Sequence, residues 1–378
     1  MGRRRRGTTN VLFTAALAVD KLTLPTFLAS HMALQREPHA ARLWGWAPPQ
    51  AKVMATVTGP KATGAAVADA DGLWVIDLPP QPASASEDIL LTDGTTTITL
   101  EDIAFGDVYL CSGQSNMEFS VNTAFNASHE IADSVNYPSL RLATVKNDVA
   151  DAPKPDAASK ANYTWARSGP AAFVPVDGTG FSWFSATCYF FGRDLYKALG
   201  GRVPIGLLAS DWGGQRVECF SSAEALADST CGGTQPGAAG RDRDGLAHSF
   251  PSPPAPHAAP PATLPAAAEL SAPQPSNQPA AAALPQHSTE DKHSTVDTLA
   301  EHYYRAADEP NPGPMQLWNA MISPLKRMRF TGAVWYQGEA NAGDPTGYAC
   351  RFPAMIADWR MQFELPHLSF FYVQVLST

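Results

Sequence analysis

Residues 111–119 read CSGQSNMEF, a serine set among glycine, glutamine and asparagine directly after the strand-like run Asp107 to Cys111. A short apolar run that stops at a Gly/Asn-rich turn reads as a buried strand delivering its carboxyl end to a loop. A serine on a tight strand-to-helix turn has its hydroxyl exposed and its N–H among the unpaired donors of the helix start. Ser115 is therefore a candidate nucleophile, which needs a base and an oxyanion site.

Outward from this turn, further strand candidates are Ile205 to Ala209, Gly332 to Tyr336 and Ser369 to Val375. Between them, Phe184, Cys188, Phe191, Leu195 and Leu199 recur at helical spacing, as do Tyr348, Phe352, Met355, Ile356, Trp359 and Phe363. Apolar strands alternating with amphipathic helices predict parallel βαβ units, with the aromatics as core stripe and Cys188 as a buried packing residue. Three strand candidates end in polar, glycine-bearing loops: Ser112 to Asn116, Ser210 to Gln215 and Gln337 to Asn341. In an open parallel sheet such loops share the carboxyl edge, where ligands bind. Gly213 and Gly214 allow close backbone approach and present an amide, and the Asn341 side chain offers a further donor. Gln114, Gln337 and Glu339, in the same loops, are expected to contact substrate. Any one of these loops alone reads as an ordinary cap or turn. Three at matching strand ends read as a site.

Before Phe105 the texture differs. Leu43 to Trp46, Val53 to Val57, Leu73 to Leu78 and Ile89 to Leu91 are short apolar runs broken by Pro, Gly and Asp-Gly, the punctuation of a small antiparallel β-rich domain over 22–104. Residues 251–290 are dominated by Pro and Ala, without an aromatic, Ile, Val or Met. Such a stretch buries too little apolar area to offset its chain entropy, so 231–298 reads as a disordered insertion between the two parts of an α/β domain, 105–230 and 299–378. Residues 1–21, with Arg3 to Arg6 before an apolar run, read either as a secretory signal or as a disordered basic tail. Asn126-Ala127-Ser128 and Asn162-Tyr163-Thr164 are glycan acceptors only in a secretory compartment.

The chain has 378 residues and a net charge of -9. This excludes nucleic acid and anionic membrane as main partners and favours a small polar ligand. No apolar run reaches the ~18 residues of a spanning helix, so stable membrane insertion is not expected. The five cysteines show no metal-ligand spacing, so no metal is expected, and their odd number leaves at least one thiol unpaired.

Taken in order, GDVYLCSGQSNMEFSV, IGLLASDWGGQRVE, LWNAMISPL, GAVWYQGEANAG and FPAMIADWRMQF resemble the sialate O-acetylesterases of the SGNH hydrolase superfamily, from about Leu24 to the end of the chain. The resemblance implies a three-layer α/β/α, flavodoxin-like hydrolase domain after the β-rich one. It implies that Ser115 is the nucleophile and that Ser115, the Gly213-Gly214 pair and Asn341 form the oxyanion hole, with either glycine as donor. It implies removal of O-acetyl groups from sialic acids through an acyl-serine, without metal or organic cofactor, in a secreted, lysosomal or cytosolic protein.

In that family the base is a histidine of an Asp-x-x-His-Pro type motif beyond the last strand visible here, and no such motif occurs in this sequence. The expectation is a C-terminally shortened esterase with impaired activity. His31 lies in the β-rich part, His367 at the amino end of a strand and His129 on a solvated segment. His302 is the first candidate for a substitute base. The competing readings are a deacetylase of xylan or other glycans and a non-catalytic carbohydrate-binding fragment.

Overall fold

The computed structural model describes residues 19–59, 62–160, 164–174, 184–227, 231 and 312–374. The basic N-terminus, Asn162, His302, Val375 and all of the expected insertion except Cys231 lie outside the described residues. So does a second compact unit, Ala238–Glu309; the described residues belong to the first.

Strands β1 (Ala33–Gln35), β2 (Arg42–Trp46), β3 (Lys52–Val57), β4 (Thr63–Val67), β5 (Leu73–Asp77), β6 (Ser84–Thr92) and β7 (Thr97–Gly113) come before Ser115. The order β4-β3-β6-β7 is antiparallel, β1 lies parallel to β7, and β2 pairs with β5 apart. The predicted boundary at 104/105 falls inside β7, whose first half closes this antiparallel layer. Its second half, apolar and buried on both faces, is the centre of a parallel sheet.

After β7 follow α1 (Ser115–Glu118), α2 (Ala127–Asp133), β8 (Leu140–Thr144), β9 (Ala166–Arg167), α3 (Ala186–Ala198), β10 (Ile205–Asp211), α4 (Ala223–Leu226), β11 (Gly332–Tyr336), α5 (Pro345–Gln362) and β12 (Ser369–Tyr372). Ser185 caps α3 by accepting from the Cys188 amide, and Asp344 caps α5, with Pro345 at its first position. The parallel strands run β8-β10-β7-β11-β12. In chain order this is 2-3-1-4-5, where a flavodoxin-like sheet has 2-1-3-4-5. The predicted α/β class and mainly parallel sheet are present, but the first strand sits between the third and fourth. Its carboxyl end is thus flanked by those of β10 and β11, and the loops after all three meet at the point where the strand order reverses.

Side chains alternate across this sheet. Val108, Leu110, Leu208, Ala333 and Trp335 enter one core with Trp318, Met321, Trp359 and Phe363. Tyr109, Cys111, Leu207, Ala209 and Val334 enter the other with Phe184, Cys188 and Tyr189. The β-rich N-terminal part, including Trp44, Val53, Trp74 and Ile89, shares the first of these cores and has none of its own.

Cys188 is buried, as expected, but it is more than a packing residue: it forms a disulfide with Cys111, joining α3 to β7. Cys231 is bonded to Cys350 of α5, and Cys219 is a buried free thiol. Within the β-rich part, Asp102 accepts bidentate bonds from Arg141 at 2.6 and 2.9 Å, and a further pair from Arg167, with His31 Nδ1 at 2.8 Å. Burial pushes the Asp102 carboxyl up, but these donors outweigh it and hold the carboxyl well below the usual range.

Candidate active site

The nucleophile turn starts at Gly113. Its φ is +144°, and a Cβ there would lie 2.1 Å from the carbonyl oxygen of Tyr336. Only glycine lets β7 and β11 end this close together. Gln114 then donates its N–H to Tyr336 O at 2.9 Å, and its buried side-chain oxygen accepts from Gly338 and Ala340 at 3.3 and 3.1 Å. Ser115 is the first residue of α1, and neither its hydroxyl nor its N–H has a partner among the described residues.

The second loop lies directly against this serine. Trp212 donates its N–H to Gly113 O at 3.1 Å, and a Cβ on Gly213 would lie 3.6 Å from both Ser115 Cα and Cβ. The Gly213 amide is committed, donating to Glu118 Oε2 at 2.6 Å. Gly214, at φ +73°, has open space where a Cβ would be and no partner for its amide among the described residues. Of the two glycines left open by the sequence, Gly214 is the one with an N–H to offer.

The third loop supplies Asn341, only 3% exposed. Its side-chain oxygen accepts from the Val217 amide at 3.0 Å and from Gln337 Nε2 at 2.7 Å. Its Nδ2 donates to Glu218 Oε2 at 2.9 Å, which leaves one amide hydrogen unused. Arg351 of α5 holds Glu218 from behind at 2.8 Å. Gln337 also donates to Gln215 O at 3.2 Å, and exposed Glu339 accepts from Asn116 at 2.8 Å. The three predicted loops therefore meet at one edge. Gln114 and Gln337 are buried there as ties between loops, while Glu339 stands at the rim.

Behind Gly213 is a charged cluster with no counterpart among the predicted site residues. Glu118 accepts from Asn147 at 3.1 Å and from Lys160 at 3.0 Å as well as from Gly213. Burial pushes its carboxyl up, but the Lys160 charge and these hydrogen bonds hold it below the usual range. Asp211, at the end of β10, is pushed up to about 7 by burial and then by the Glu118 charge, against Lys160. One of its oxygens has no partner among the described residues. Glu118 stands inside the quoted stretch, three residues after the serine, which is the signal that could have found it.

Among the described residues no histidine is bonded to Ser115. His31 is beside Asp102, His129 is exposed on α2 and His367 precedes the amino end of β12. Among the same residues no three His, Cys, Asp or Glu gather as a metal site, and no helix is long and apolar enough to cross a membrane.

No protein-family model matches the chain. The sialate O-acetylesterase of Mus musculus is 31% identical to it over 350 residues, 89% of this chain and 56% of that protein. That of Rattus norvegicus is 33% identical over 351 residues, with the same coverage. The chain is a relative of the sialate O-acetylesterases. A solved carbohydrate acetylesterase from Xanthomonas citri superimposes with a TM-score of 0.64 at 25% identity, covering 93% of this chain and 60% of that one. The chain thus spans little more than half the length of these sialate O-acetylesterases.

Proposed function

We propose that this protein carries the nucleophile and oxyanion hole of a serine carbohydrate esterase that removes O-acetyl groups from sialic acids. Ser115 Oγ attacks the acetyl carbonyl and loses its proton to a base. The developing oxyanion accepts from the Ser115 and Gly214 amides and from the spare Asn341 N–H. The C–O bond to the sugar breaks, and the sugar oxygen takes up the proton. Water then hydrolyses the acetyl-serine and releases acetate. No metal or organic cofactor takes part in these steps.

The observation that carries this reading is the meeting of loops from three adjacent strands that bear an unpartnered Ser115, an uncommitted Gly214 N–H and the one spare hydrogen of Asn341 Nδ2. The names of the relatives support the substrate: sialate for the rodent proteins, carbohydrate more broadly for the bacterial one. Two disulfides favour an oxidising compartment, secretory or lysosomal, over the cytosol.

A second reading has its own support. With no base on Ser115 among the described residues, binding and the oxyanion hole alone leave a residual ~10³–10⁴ over water, so a carbohydrate binder of impaired activity fits as well. Acetate release from 9-O-acetylated sialic acid and from acetylated xylan, with Ser115→Ala as control, tests both. Release from the sialic acid that is lost in the variant supports the esterase, and preference for xylan moves the substrate to plant glycans. No release, together with sugar binding, supports the binder.

A further inference from the structure

We propose that Glu118 is a positioning residue of this site, clamping the Trp212–Gly214 turn to the nucleophile helix so that the Gly214 amide alone is left for the acyl oxygen. The proposal rests on the esterase reading above.

Glu118 is three residues after Ser115, on the same turn of helix, and its side chain is 14% exposed. Its carboxylate receives three donors from two places: the Gly213 amide after β10, and Asn147 and Lys160 from the segment after β8. A carboxylate accepting three bonds is matched to its surroundings, and an amide bound to it at 2.6 Å is not free to turn towards an ester. If Gly213 swung to the substrate, the buried carboxylate would lose its shortest bond. The same contact sets the distance between loop and nucleophile, because Gly213 lies against Ser115 Cα and Cβ. Side chain and serine share one short helix, so the oxyanion loop is referenced to the nucleophile itself.

The charges are arranged to match. A bare carboxylate behind the oxyanion loop would oppose the negative charge that forms on the substrate, and Lys160 at 3.0 Å cancels it. Asp211, from β10, faces the same pair, and its carboxyl is pushed up to about 7, so that it stays neutral through the acid range. Charge balance and hydrogen bonding both keep Glu118 ionised and fixed on Gly213.

The test uses the whole chain with a fluorophosphonate that labels Ser115 and with 4-nitrophenyl acetate. Glu118→Gln keeps the size of the side chain but brings an NH2 among donors. Labelling and kcat are expected to fall about 10²-fold, as for a lost oxyanion donor, with KM changed less than about threefold. Asn147→Ala, which removes one of the three donors, is expected to lower both about three- to tenfold. Hydrogen exchange in the wild type gives a measure that needs no variant: the Gly213 amide is expected to be protected and the Gly214 amide to exchange freely. Folded variants that label at the wild-type rate, or a Gly213 amide as open as that of Gly214, would overturn the inference. A wild-type chain that is neither labelled at Ser115 nor active overturns the esterase reading, and the inference with it.

Discussion

Glu218 is bonded on one side to Asn341 Nδ2 at 2.9 Å and on the other to Arg351 at 2.8 Å, so a helix on the far side of the third loop sets the orientation of the oxyanion amide. Arg351→Ala leaves the buried Glu218 carboxylate without its cation, which costs about 3–5 kcal/mol. Displacing Asn341 by about 1 Å is expected to lower the Ser115 labelling rate on the order of 10²-fold. Paired denaturant melts and fluorophosphonate labelling check the two effects. A variant that is destabilised yet labels normally removes Arg351 from any role in orienting Asn341.

Asp211 gives the stability a pH dependence of known sign. Its folded carboxyl is raised to about 7 from an ordinary 3.8, so the stability it contributes is complete below about pH 4 and is lost as pH rises through about 7. Glu118 works in the opposite direction: its carboxyl is lowered, and its contribution is lost as pH falls through the acid range. Asp211→Asn is expected to flatten the decline in melting temperature between about pH 4 and 7 and to stabilise the protein above that window. Parallel profiles for wild type and variant would remove Asp211 as the titrating group.

The Cys111–Cys188 disulfide closes a loop of 77 residues around the nucleophile turn. Its loss in Cys188→Ala is expected to cost about 2–5 kcal/mol, read from urea midpoints at a fixed m-value. Free thiols counted in the denatured wild-type chain should number one, at Cys219. A count of five in protein from an oxidising host would contradict the pairing.

Gly113→Ala places a methyl 2.1 Å from Tyr336 O at a φ that L-residues rarely adopt. Either β7 separates from β11 or the turn changes, and both move Ser115. Labelling is expected to disappear and stability to drop by more than the ~1 kcal/mol of an ordinary unfavourable backbone substitution. Gly214→Ala is the contrast. It has open space but a left-handed φ, so the cost there is backbone strain without a clash.

Much of this was legible locally. Buried parallel strands are continuous apolar runs, so Ile205 to Ala209, the apolar part of β10, and Gly332–Tyr336 stand out in the sequence, as do the helices from the periodicity of Phe184 to Leu199 and Tyr348 to Phe363. The polar loops after those strands, with Ser115, Gly213, Gly214 and Asn341, follow from the same punctuation. Strand β8 was not legible, because Leu140–Thr144 has an arginine as its second residue. Arg141 is fully buried only because Asp102, 39 residues away, meets it with two bonds, and no local window contains both residues. The pairing of Cys188 with Cys111, the place of the first strand between the third and fourth, and the absorption of the β-rich part into a shared core are likewise long-range. So is the difference between Gly213 and Gly214. The sequence by itself determined which residue types stand at the strand ends, since that depends on neighbours along the chain. Which amide is left to bind an oxyanion was decided by the tertiary structure, since it depends on where Glu118 comes to lie.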